Sequence, residues 1–211
     1  MKFFALLLLA ASTALAGDFA TGQAARLVIG QRSFTSQDQG ASDTLLGGVG
    51  GVAYAQDTLI VVDSSRIAAA PINNRVLLFT NLSSQLPGPT DRLDFTKECP
   101  LCLGTASVVL GQPDFTTVED VVYPPAQASL RQPAAAASDG AILAVADTDN
   151  NRVLLWKSMP TENHRPPDIV LGQSDFLSSS VVQPPSAKSL RGPQGVWIQG
   201  GKLFVADTSN N

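Results

Sequence analysis

Short apolar runs of three to six residues recur along the chain, separated by polar turns rich in Asp, Asn, Gly and Ser. Runs of this length bounded by turn residues read as strands. The clearest series is Ala134–Ser138, Ile142–Ala146, Arg152–Trp156 and Asp168–Leu171, with Asp139-Gly140 closing the first hairpin. An earlier series has the same order: Val52–Gln56, Leu59–Val62, Arg75–Phe79 and Ser107–Leu110. A later one contains Gly195–Gln199 and Lys202–Ala206, and Leu27–Ile29 stands alone as a strand-like run. The pattern predicts an all-β chain of four-stranded antiparallel sheets.

Two phrases fix the period. Val-Ile-Gly30-Gln31-Arg-Ser-Phe34, Val-Leu-Gly111-Gln112-Pro-Asp-Phe115 and Val-Leu-Gly172-Gln173-Ser-Asp-Phe176 are copies of one sequence, and Gly111 and Gly172 are 61 residues apart. The second phrase ends an apolar run in aspartate and opens a polar turn, as in Ala-Val-Ala-Asp147-Thr-Asp-Asn-Asn-Arg152 and Phe-Val-Ala-Asp207-Thr-Ser-Asn-Asn211. Asp147 and Asp207 are 60 residues apart. The longer step from Gly30 to Gly111 is explained by insertions at Arg66–Ile72 and after Phe79. Four short strands repeated at such a period is the signature of a propeller blade.

The turns have a chemical logic. Asp and Asn accept hydrogen bonds from nearby backbone amides and tolerate left-handed backbone. Asp63, Asn73, Asn74 and Arg75, then Asp147, Asn150, Asn151 and Arg152, then Asp207, are therefore expected to hold tight reversals. Arg152 is placed to donate to the Asp147 carboxylate or to turn carbonyls of the neighbouring blade. Because the cluster recurs with the strands, it is expected to be structural.

These residues resemble the NHL repeat, whose pattern runs from Pro and Gly before a short strand, through an apolar strand ending in Ala-Asp-Thr, to Asn-Asn-Arg-Val and an aliphatic or aromatic close. Pro193-Gln-Gly195 through Asp207-Thr-Ser-Asn-Asn211, and Asp147 through Arg152-Val-Leu-Leu-Trp156, carry the likeness. It covers nearly all of the chain beyond residue 16 and departs from the pattern at Arg66–Ile72. The resemblance implies part of a β-propeller, six-bladed and TolB-like in a longer protein of roughly 250 to 500 residues. The expected organisation is a strand at 27–34, blade one at about 48–115, blade two at about 130–176 and the start of a third at about 190–211. On this reading the chain stops inside a repeat, and its open propeller edges invite self-association.

Met1–Ala16 has the form of a secretory signal: Lys2, the apolar run Phe3–Ala11 and a small-residue cleavage site at Ala14-Leu15-Ala16. Its apolar run is too short to span a bilayer. The mature chain is expected to be secreted or periplasmic, without membrane insertion. The net charge is −4, and −5 without Lys2, with no basic run, which argues against nucleic acid as a partner.

The chemistry-bearing motifs each have a plain reading beside a sharper one. Cys99-Pro-Leu-Cys102 is first a local disulfide stapling the inserted loop. Haem attachment needs His at 103, which is Leu; redox chemistry would want the first cysteine at a helix start, and zinc further ligands, with His164 the only histidine. Gly48-Val-Gly50-Gly-Val-Ala53 fits a dinucleotide fingerprint in form, but runs into a strand rather than a helix. Asn81-Leu82-Ser83 is a glycosylation acceptor sequence.

The first strands of the blades offer no histidine or carboxylate to a central channel. No catalytic, metal-binding or cofactor-binding residue is therefore assigned, and no cofactor is expected. Strand alternation gathers the Asp turns and the long connections on one face, where Arg66, Tyr123, Arg131 and Arg191 are the candidate binding residues. The expected function is an exported, non-catalytic scaffold that binds a protein or glycan through that loop-rich face. The alternative is a propeller hydrolase, lactonase or lyase whose metal ligands lie in blades outside this chain.

Overall fold

The computed structural model describes residues 21–25, 27–64, 72–86, 104–118 and 123–210. They are nearly all β. One antiparallel sheet is built from β1 (Val49–Ala55), β2 (Thr58–Asp63), β3 (Arg75–Phe79) and β4 (Val108–Leu110), in the order β1-β2-β3-β4. A second is built from β5 (Pro133–Ser138), β6 (Leu143–Asp147), β7 (Arg152–Trp156) and β8 (Ile169–Leu171), in the order β5-β6-β7-β8. A third contains β9 (Gly195–Gln199) and β10 (Lys202–Ala206). None closes into a barrel among the described residues.

The two four-stranded sheets match in register. Asp63 stands opposite Arg75 and Asp147 opposite Arg152, at the same end of each central strand pair. Each first strand also carries an irregularity near its start, between Val49 and Gly51 and between Pro133 and Ala135. These bulges fall where β1 and β5 run side by side. A Cβ on Gly51 would come within 2.9 Å of the Ala134 carbonyl oxygen, so glycine there permits close backbone approach. The Gly48–Ala53 segment is thus the start of β1, not a cofactor loop.

Alternation along each strand divides the core into two layers. Ile60, Val62, Val76, Leu78, Val108 and Leu110 of the first sheet meet Ala136, Leu143, Val145, Leu154 and Trp156 of the second. The opposite face of the first sheet, Val61, Leu77, Phe79 and Val109, is covered by Leu46, Ala106 and Ile29. β9 lies beside β5 in turn, so the three first strands are neighbours in the order β1, β5, β9.

Most expected strands appear with ends shifted by one to three residues; β1 starts at Val49 rather than Val52 because the bulge extends its pairing with β2. The segment expected as a strand at 27–34 shows bridges rather than a named strand among the described residues. Val28 and Gly30 each form a bridge, that of Gly30 being parallel to Leu45, and Ile29 packs on the face of the first sheet. A four-residue helix, α1 (Leu82–Gln85), which the pattern did not reveal, follows β3. The Ser83 hydroxyl and amide both donate to Asp57, tying α1 to the β1–β2 hairpin.

Candidate functional site

At the end of β2, β6 and β10 the same aspartate collects the same set of donors. Asp63 Oδ1 accepts from the backbone N–H of Gly47 and Gly48 at 2.9 Å, Asp147 Oδ1 from Arg131 at 2.7 Å and Asp207 Oδ1 from Arg191 at 2.7 Å. These amides lie just before β1, β5 and β9. The other oxygen, Oδ2, accepts from the side-chain amides of Asn73 (2.6 Å), Asn150 (2.9 Å) and Asn210 (2.7 Å). Each carboxylate therefore clamps the connection leading into the first strand to the turn leaving the second.

In the first two nodes an arginine completes the set. Arg75 Nε donates to Asp63 Oδ2 at 2.9 Å and Arg152 Nε to Asp147 Oδ2 at 2.7 Å, with all four side chains fully buried. The terminal guanidinium nitrogens donate to backbone carbonyls: Phe115 and Leu45 for Arg75, and Phe176, Ser129 and Ala126 for Arg152. These carbonyls belong to the connections entering and leaving the arginine's own sheet. Of the two partners expected for Arg152, the Asp147 carboxylate is the one it meets, and its other nitrogens donate to the carbonyls of the connections that flank its sheet.

Two charges in a dry core cost several kcal/mol each to desolvate unless every lone pair and proton is used. Here they are used. Burial still pushes the Asp147 carboxyl above its ordinary value, against the opposing pull of Arg152, the Arg131 N–H and Asn150. Burial lowers the Arg75 guanidinium in the same way, against the Asp63 charge. Such groups are spent on holding backbone and have no free face for a substrate.

Neighbouring sheets are joined by the next residue along. Asn74 and Asn151 adopt left-handed backbone, with φ of 49° and 53°, and their Oδ1 atoms accept from Gln132 N at 2.8 Å and Gly192 N at 2.9 Å in the following unit. Asparagine tolerates that conformation better than most side chains, which is why it fits both roles.

The glycine-glutamine phrase serves the same architecture. Gly30, Gly111 and Gly172 have φ of 87°, 91° and 91°. Side chains built on them would collide with Leu46, Leu130 and Leu190 respectively. Gln112 and Gln173 donate to the Asn73 and Asn151 carbonyls, coupling the phrase to the turn. Two residues further on, Asp114 and Asp175 cap their own turns through the Thr116, Thr117 and Leu177 amides, and Ser33 does so through those of Thr35 and Ser36.

The partner of the glycine is a third repeated phrase, Ser129-Leu130-Arg131 and Ser189-Leu190-Arg191, again 60 residues apart. Residue reasoning did not single out its leucine or serine, although the spacing was there to find. Ser129 and Ser189 accept from the Ala126 and Ser186 amides, shaping the loop that presents the carbonyls used by Arg152.

The nodes and the long connections lie at one end of the sheets. Tyr123 is 72% exposed there and Arg191 is exposed, while Arg131 faces Asp149 at 3.9 Å. Near Arg191 lies a cavity of about 530 Å³ whose lining includes Gln173, Ser174, Ser178, Ser186, Lys188 and Ser189. Along the first strands, β1, β5 and β9 frame an apolar cleft of about 280 Å³ holding Tyr54, Ala136, Ser138 and Trp197. Arg66, Cys99 and Cys102 lie outside the described residues, as does the leader-like segment at 1–16. Among the described residues no three His, Cys, Asp or Glu side chains group as metal ligands would, and no helix is long and apolar enough to cross a membrane.

Compared with protein-family models and with curated proteins, the chain matches none.

Proposed function

We propose that the chain forms an arc of an NHL-type β-propeller that acts, after export, as a non-catalytic scaffold, docking a protein or glycan on the face where the aspartate nodes gather the connections. The observation that carries this reading is the repeated anchoring of Gly47, Arg131 and Arg191 by Asp63, Asp147 and Asp207. A loop held at its root by a buried or half-buried carboxylate presents its tip at little further entropic cost, and binding sites are commonly built on loops so supported. Support for the propeller comes from two sheets of one topology packed face to face, first strands side by side, with a third following in order. Support for a non-catalytic role comes from the node carboxylates, whose oxygens in the first two nodes are all occupied by structural donors.

The test is a glycan array and a panel of surface proteins probed with the mature chain, repeated with Tyr123→Ala and Arg191→Ala, and with Asp139→Ala on the opposite end as control. The expected outcome is one ligand class lost in the first two variants and kept in the third. Binding indifferent to all three, or turnover of a lactone or ester by the wild-type chain, overturns the reading.

A further inference from the structure

We infer that the connection between β7 and β8, at 157–168, is a guard strap: it occupies the outer edge of β4 and keeps that edge from pairing with β4 of a second copy of the chain.

β4 is the outermost strand of the first sheet, and among the described residues it pairs with β3 alone. In an antiparallel ladder alternate residues turn their N–H and C=O to opposite sides. Val109, the middle residue of β4, turns both away from β3, and both find partners in the second sheet's connection. Its N–H donates to Asn163 Oδ1 at 3.0 Å, and its C=O accepts from the His164 N–H at 2.8 Å. An amide side chain and the next backbone N–H thus supply the acceptor and donor that a neighbouring strand would bring. The segment so covered, Ala106-Ser-Val-Val-Leu-Gly111, is uncharged, rich in valine and free of proline. Segments of that composition pair with copies of themselves when their edge is exposed.

The strap is held on both sides of this contact. The Lys157 N–H donates to Asp168 Oδ2 at 2.8 Å, closing its base, and the buried Trp156 donates its indole N–H to the Arg165 carbonyl at 2.9 Å. Gln127 Nε2 donates to the Pro167 carbonyl at 3.2 Å, and Pro160 and Pro167 are themselves buried. The strap offers no continuous edge of its own. Pro160, Pro166 and Pro167 have no N–H to give a further strand, and His164, at a φ of 55°, turns the chain away after a single rung. The exposed Glu162 adds charge to its outer side. Proline, charge and a covering loop are the means by which natural sheets keep an edge from pairing with another chain. Two residues can join antiparallel neighbours, so the extra length of this connection is spent on reaching β4.

Hydrogen exchange at the Val109 amide and sedimentation velocity over a concentration series test the strap in the full chain. Asn163→Ala removes the acceptor, and the Val109 amide is expected to exchange about tenfold faster, while Val108 and Leu110, which the alternation bonds to β3, keep their protection. The variant is also expected to gain mass with concentration beyond the wild type, and its Val109 amide to regain protection as it does so. Asn163→Asp, whose carboxylate still accepts at neutral pH, should behave as the wild type. An unchanged Val109 amide in Asn163→Ala, or a faster one with no added association, overturns the proposal. If Asn163→Ala loses protection at Val108 and Leu110 as well, its fold is damaged. Trp156→Phe, which frees the strap at Arg165 and leaves β4 untouched, then decides by the same two readouts.

Discussion

The interface between the first and second sheets is closed, and the one between the second and third is open, although the sequence phrases that build them are nearly the same. Leu110 and Leu171 both follow two Val or Ile residues and precede Gly-Gln. Leu110 is fully buried because Leu154 and Trp156 stand over it; Leu171 faces only β9 and β10. The aspartate nodes divide in the same way, with Asp63 and Asp147 fully buried beside arginines and Asp207 half-buried with none among the described residues. A repeated phrase therefore specifies a strand and a turn, while its contribution to stability is set by the unit packed beside it.

The largest expected contrast lies in the nodes. Asp147→Ala should cost about 3–5 kcal/mol in denaturant unfolding, because it strands the buried Arg152 guanidinium. Asp207→Ala, which removes two hydrogen bonds and strands no charge, should cost about 1–2 kcal/mol. Equal losses would mean that the arginine adds nothing to the closed node.

Packing gives the next contrast. Leu110→Ala is expected to lose about 2–5 kcal/mol, the range for a fully buried leucine. At Leu171→Ala the loss should fall below about 1 kcal/mol, since the side chain is already partly in water. If the two midpoints shift alike, the second interface is closed in solution.

A smaller difference separates the glycines. Gly111→Ala and Gly172→Ala both force a side chain into left-handed backbone, at about 1–2 kcal/mol. At Gly111 the new Cβ also meets the Asn74 carbonyl oxygen at 2.6 Å, which is backbone and cannot swing away; at Gly172 its nearest neighbours are all side-chain atoms of Leu190. Gly111→Ala should therefore shift the thermal midpoint further, and a reversed order would locate the constraint elsewhere.

The smallest effect is one of pH. Three donors from Thr116 and Thr117 hold the Asp114 carboxyl at about 2, below its ordinary 3.8. A depressed carboxyl stabilises its turn above the ordinary value, and that contribution fades as pH falls through about 2. The Thr116 and Thr117 amide resonances should track this titration. Asp175, also lowered and bonded to Leu177 and Ser178, should behave likewise. Amide shifts that move together near pH 4 would show that the caps are not formed.

The strands were largely legible because a strand is announced locally, by an apolar run between turn residues. So was the set of turn residues, since Asp147, Asn150, Asn151 and Arg152 are types with known turn chemistry at a repeated spacing. The partners were not legible. That Asp147 reaches back 16 residues to the Arg131 amide, or that Arg152 reaches forward to the Phe176 carbonyl, follows only from how the connections fold over the sheet ends.

Sequence alone determined the period, the strand class and the identity of residues that can occupy left-handed backbone, because these depend on a residue and its near neighbours. Tertiary structure decided which aspartates are dry and which leucines are covered, because burial and charge pairing belong to two surfaces at once.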